Sequence, residues 1–91
     1  MTLLDTVRQL KDLKANLTIF ARRPWTPDAE ALVAEEPDGG ELPREAAAIR
    51  GEYFLEVSLA QEFVDDWLES RPGSSAEQTC ERLIQYAEND A

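Results

Sequence analysis

Four carboxylates, Glu62, Asp65, Asp66 and Glu69, form the densest group of chemically equipped side chains in this sequence. Their spacing of i, i+3, i+4 and i+7 places them on one stripe of a helix, about 10 Å long at roughly 1.5 Å per residue. Like charges so spaced cost an isolated helix roughly 0.2–0.5 kcal/mol per pair, so local helix energetics do not favour the stripe. A DNA duplex carries one charge per roughly 1.7 Å of axis; the stripe is sparser but of similar extent. It reads either as a surface that plugs a basic cleft or as the solvated face that any amphipathic helix turns away from its core. A second acidic group, Glu35, Glu36 and Asp38, offers oxygen ligands for a hard cation but lacks the D-x-D-x-D-G spacing of a calcium loop. A solvated acidic loop is expected there, and no metal.

Other catalytic equipment is sparse. There is no histidine, hence no ready general base or imidazole ligand. No glycine-rich nucleotide loop, nucleophile elbow or C-x-x-C motif occurs. Gly39-Gly40 is flanked by Asp38 and Glu41, which repel a phosphate, so it reads as a turn. The one cysteine, Cys80, falls on an apolar helical stripe and is expected to be an inert core thiol. A lone cysteine forms no internal disulfide, in keeping with a reducing, cytoplasmic setting. These features point away from an enzyme and require no cofactor.

The elements that position these groups centre on Glu52 to Ser70. Tyr53, Leu55 and Val57 alternate with Glu52, Phe54 and Glu56, which predicts a strand with the first set inward. At Ser58 the period becomes helical. Leu59, Phe63, Val64, Trp67 and Leu68 form the expected core stripe, and Ser58 with Gln61 makes a capping box. Upstream, Thr2 caps a first helix, with Asp5 suited to its dipole. Leu3, Val7, Leu10, Leu13 and Leu17 give its stripe, Lys11 and Lys14 lie in its last turns, and Asn16 stops it. Leu17 to Ala21 reads as a short strand, broken by Arg22-Arg23-Pro24-Trp25.

Residues 27–36 admit two readings. Thr26-Pro27-Asp28 resembles a helix start, yet the strand at Tyr53 needs a partner for its backbone, which favours a strand at about 30–35. Pro37 to Pro43 is a loop, and Arg44 to Ile49 is one or two helical turns stopped by Gly51. Arg71-Pro72-Gly73-Ser74 is a break, and Ser75 with Gln78 forms a second capping box. Ala76, Cys80, Leu83, Ile84 and Ala87 are the stripe of a last helix. The expected architecture is one α+β domain spanning 1–91: a two- or three-stranded antiparallel sheet, an N-terminal helix and two C-terminal helices. Trp67 is expected in the core. Trp25 is read as a plug over the end of the core, the alternative being an exposed anchor for a partner.

Charge supplies the partner argument. The formal charge is -10, with +3 on residues 1–23 and -13 on residues 24–91. So acidic a surface repels nucleic acid and anionic membrane and attracts basic protein, although acidity also serves solubility alone. No apolar run is long enough to span a bilayer, and MTLLDTVRQLKDLK lacks the apolar core of a signal peptide.

With its acidity, its missing histidine and this order of elements, the chain resembles the small bacterial immunity proteins that neutralise toxins of neighbouring cells. It also resembles an uncharacterised bacterial domain family with a YFLEV strand, here Tyr53 to Val57, and a terminal RLIQYAENDA helix, here Arg82 to Ala91. The resemblance covers most of the chain in outline and transfers no functional residue. It implies a non-catalytic inhibitor that binds a toxin and blocks its active site or an adjacent exosite; if that toxin is a nuclease, its substrate cleft is basic and an acidic cap complements it. The surfaces available to such a partner are Glu62, Asp65, Asp66, Glu69, Glu35, Glu36, Asp38 and Trp25. Two other readings of the acidity are a nucleic-acid mimic from a phage or mobile element and an acidic adaptor domain.

Overall fold

The computed structural model describes residues 1–90. In chain order they form α1 (Leu3–Arg8), a 3-10 turn (Leu10–Asp12), β1 (Thr18–Arg22), β2 (Ala31–Ala34), α2 (Arg44–Ala48), β3 (Gly51–Glu56), α3 (Val57–Ser70) and α4 (Ala76–Asp90). This is the expected α+β arrangement. The sheet is antiparallel with strand order β2-β1-β3. The ambiguous segment is therefore a strand, registered on β1 with Thr18 opposite Ala34 and Ala21 opposite Ala31.

β1 is central and buried on both faces, as its TIFA run requires. Ile19 and Ala21 join one apolar cluster with Leu3, Val57, Val64 and Leu83 of α1, α3 and α4. Phe20 points the opposite way by strand alternation and is also buried. On that side α2 packs on β2 and β3, with Ala46 fully enclosed. A Cβ on Gly51 would stand 3.3 Å from the Ala46 carbonyl oxygen, so glycine here permits that close packing. Arg50, not Gly51, makes the left-handed exit from α2, at φ 57°.

The alternation read along Tyr53–Val57 fails at one residue. Ile19 faces Leu55 while Phe20 faces Tyr53, so Phe54 is the extra residue of a β-bulge. Phe54 and Leu55 are both buried, at 0% and 3% exposure, and Tyr53 is 39% exposed. The expectation of Tyr53 inside and Phe54 outside is thus reversed, because the bulge re-aims the strand.

Two further corrections share one cause. α1 keeps its capping box, with Asp5 N donating to Thr2 Oγ1 and Thr2 N to Asp5 Oδ2, at 3.1 and 3.0 Å. It ends at Arg8, however, well short of Asn16. Residues 10–17 instead serve the start of α3. Val57 N donates to Leu17 O at 2.9 Å and Ser58 N to Ala15 O at 3.2 Å. Gln61 Nε2 donates to the carbonyls of Leu10 and Leu13 at 3.0 and 3.1 Å. The Ser58–Gln61 capping box therefore does not form: α3 starts two residues earlier than a Ser58 cap would place it, with Glu56 at the N-cap and no side-chain cap. Neighbouring carbonyls satisfy the free N–H groups of a helix start as a cap would.

α3 also sits rotated from the expected stripe. Val57, Ala60 and Val64 are buried, and Leu59 and Leu68 are each 37% exposed. α4 follows its pattern, with Cys80, Leu83, Ile84 and Ala87 buried. Its Ser75–Gln78 box is reciprocal, at 3.0 and 3.1 Å. No helix among the described residues is long and apolar enough to cross a membrane.

Candidate protein-interaction face

α3 is gripped on both flanks. On one side Gln61 is tied to Leu10 and Leu13. On the other the Phe63 ring stacks on Tyr86 of α4, with centroids 4.8 Å apart and planes 26° from parallel. With Val57, Ala60 and Val64 facing the core, helical geometry turns Glu62, Asp65, Asp66 and Glu69 outward, and all four are exposed. Among the described residues the one ion pair is Arg23 Nε to Glu52 Oε2 at 3.4 Å, so none of these four carboxylates is neutralised. Asp65 borders a groove of about 480 Å³ floored by Leu10, Val64 and Leu68, with Arg8 and Lys11 on the same walls, yet it pairs with neither cation. The half-exposed Leu59 and Leu68 lie one helical turn from Glu62 and Asp65 respectively, so apolar surface adjoins the acidic stripe.

The second acidic group is placed elsewhere. Glu35, Glu36 and Asp38 follow β2 and are exposed. Glu36 Oε1 accepts a hydrogen bond from Thr18 Oγ1 at 3.3 Å, on the sheet face opposite the main core. Thr18 also faces Glu56 across the β1–β3 ladder. Tyr53 joins this patch: partial burial, followed by the negative charge of Glu56 and more weakly of Glu36, raises its phenol pKa above the usual value. The structure thus yields two acidic surfaces. α3 presents one; Glu36, Glu56 and Tyr53 make the other. The sequence reading missed Tyr53, since a single-residue bulge leaves no mark on an alternating pattern. Among the described residues, no group of three or more candidate ligand side chains is close enough to hold a metal ion.

The tryptophans part ways. Trp25 is the plug: its ring meets Phe54 edge-on at 4.9 Å, its Nε1 donates to Ala21 O at 3.1 Å, and the Arg23 guanidinium covers it at 3.8 Å. It presents no anchor to a partner. Trp67 is only half-buried, at the far end of α3. Its indole N–H is enclosed without an acceptor, a loss of roughly 1–3 kcal/mol for a buried polar group. Arg71 and Arg82 lie over its ring at 5.2 and 5.1 Å. Cys80 is a buried core thiol whose pKa is pushed up to about 11, by burial first and Glu81 second, so it stays protonated near neutral pH.

No protein-family model, curated protein or solved structure matches this chain.

Proposed function

We propose that this chain is a non-catalytic binding domain for a basic protein, acting as a cytoplasmic immunity protein that neutralises a bacterial toxin by docking on it. The observation that supports the reading is the α3 face: four exposed carboxylates, none paired with a cation, on a helix held from both sides. Holding the charges in place before binding reduces the ordering cost of association. Unpaired carboxylates create a field that steers a basic partner and complements it on contact. A nuclease is the toxin class whose substrate cleft is necessarily basic. The same field opposes nucleic acid and anionic membranes, so neither is a partner, and the function calls for no cofactor.

Affinity capture from the source organism tests this, with the native chain and the Asp65→Lys/Asp66→Lys variant immobilised in parallel. The proposal expects a basic protein on the native chain that is lost from the variant at roughly physiological ionic strength, where the screening length is about 8 Å. Recovery of the same proteins by both, or of none that is basic, contradicts it. Both positions are exposed, so circular dichroism of the variant should match that of the native chain.

A further inference from the structure

At the C-terminal end of α3 the local charge reverses. Trp67, Arg71, Ser74, Gln78, Arg82 and Gln85 line an open groove of about 540 Å³ between that end and the outer side of α4. Residues 24–91 contain four cations, and two of them, Arg71 and Arg82, gather over the one Trp67 ring, at 5.2 and 5.1 Å. Neither takes a carboxylate partner among the described residues, although the chain holds 19 acidic residues. Arg82 Nη1 donates only to Gln85 Oε1, at 2.6 Å. Glu81 stands on the rim and pairs with neither arginine. The Trp67 N–H is the one buried side-chain donor found without an acceptor among the described residues.

Two guanidinium groups at one ring, without a carboxylate partner among the described residues, and an unanswered donor lack the same thing, an acceptor that carries negative charge. We propose that this groove binds a small oxyanion, a phosphate or carboxylate group, clamped by Arg71 and Arg82 with the Trp67 N–H as a further donor. The guanidinium fork matches both oxyanions in a two-point geometry. Both arginines lie over the ring on flexible stems, which lets each turn its guanidinium onto an anion in the groove beside the indole. The site does not depend on the acidic face of α3 or on its partner.

Nuclear magnetic resonance of the ¹⁵N-labelled chain reads the site directly, because the two tryptophans give two indole N–H signals. The Trp25 signal is the internal control, its N–H being already bonded to Ala21 O at 3.1 Å in the core. Inorganic phosphate and acetate are titrated separately at constant ionic strength. The expected result is a saturable shift of the Trp67 signal with at least one of them while Trp25 stays fixed; which anion saturates identifies the chemistry preferred. Arg71→Gln/Arg82→Gln should abolish the shift, and Glu81→Gln should tighten binding severalfold by removing the rim charge. An unmoved Trp25 signal shows that the double variant is folded, and the single Arg82→Gln variant serves if it is not. Equal, non-saturating shifts of both indoles, no shift with either anion, or an unchanged Trp67 response in the arginine variants overturns the proposal.

Discussion

α3 and α4 begin on the same pattern, Ser-x-x-Gln, and use it differently. At α4, which follows the Arg71–Ser74 turn, Ser75 and Gln78 satisfy each other's backbone donors at 3.0 and 3.1 Å. At α3, β3 runs straight into the helix. Residues 10–17 lie alongside, and their carbonyls take the donors of Val57, Ser58 and Gln61. A capping signal is thus a statement about a helix start with free chain before it. Where a start is built into tertiary structure, the same residues become cross-links. This difference fixes the rotation of α3, and with it the direction of the acidic face.

The largest expected effect separates the buried stripes. Leu83→Ala in α4 should cost about 2–5 kcal/mol, as for a fully enclosed leucine, while Leu59→Ala and Leu68→Ala in α3, being half-exposed, should each cost less than about 1 kcal/mol. Denaturant melts give all three, and a cost at Leu59 or Leu68 equal to that at Leu83 would mean that α3 is turned as its sequence pattern reads, with the acids displaced. The capping pattern provides the next contrast. Gln61→Ala should lose about 1–3 kcal/mol, since the part-buried carbonyl of Leu13 loses its donor while that of Leu10 keeps the Leu13 N–H. Ser75→Ala should lose about 1 kcal/mol, as for other N-caps, and Ser58→Ala no more than about 0.5 kcal/mol, as for a side chain with no capping role. Equal losses at the two serines would erase the comparison.

A smaller effect belongs to α4 alone. Cys80 has its folded pKa raised from 9.0 to about 11 by burial and Glu81. The unfolded chain releases this proton first, so the thiol's contribution is full below pH 9.0 and falls as pH rises toward about 11. The native chain should therefore lose more stability across that window than Cys80→Ala does. Parallel stability curves for the two would remove the assignment. In the native state Cys80 should also be silent toward thiol reagents at pH 8, reacting on unfolding.

Much of the scaffold was legible because its signals are local. The caps at Thr2 and Ser75, the α4 stripe and the breaks at Pro37 and Arg71 all depend on neighbours a few residues away. The strand at 31–34 was legible by a different route, from the requirement that a strand at Tyr53 be paired. What stayed hidden depends on residues distant in sequence. The bulge at Phe54 appears only in the β1–β3 register. α1 stops at Arg8 because residues 10–17 are drawn to α3. For the site, Glu62, Asp65, Asp66 and Glu69 lie outward as a solvent-facing stripe should. Trp25 proved to be the plug, and Tyr53 could not be foreseen without the bulge. The arginines over Trp67 come from the end of α3 and the middle of α4, which no single window of sequence joins.

The central claim is that the acidic face of α3 captures a basic protein. Its most direct test is stopped-flow association with the captured partner at two ionic strengths. Three chains are compared: native, Asp65→Lys/Asp66→Lys, and Lys11→Glu/Lys14→Glu. The account predicts an on-rate for the native chain that falls steeply with salt while the off-rate changes little. It predicts slowed association for the α3 variant and near-native rates for the Lys11/Lys14 variant. A salt-independent on-rate, or binding lost in the Lys11/Lys14 variant and kept in the Asp65/Asp66 variant, would contradict it.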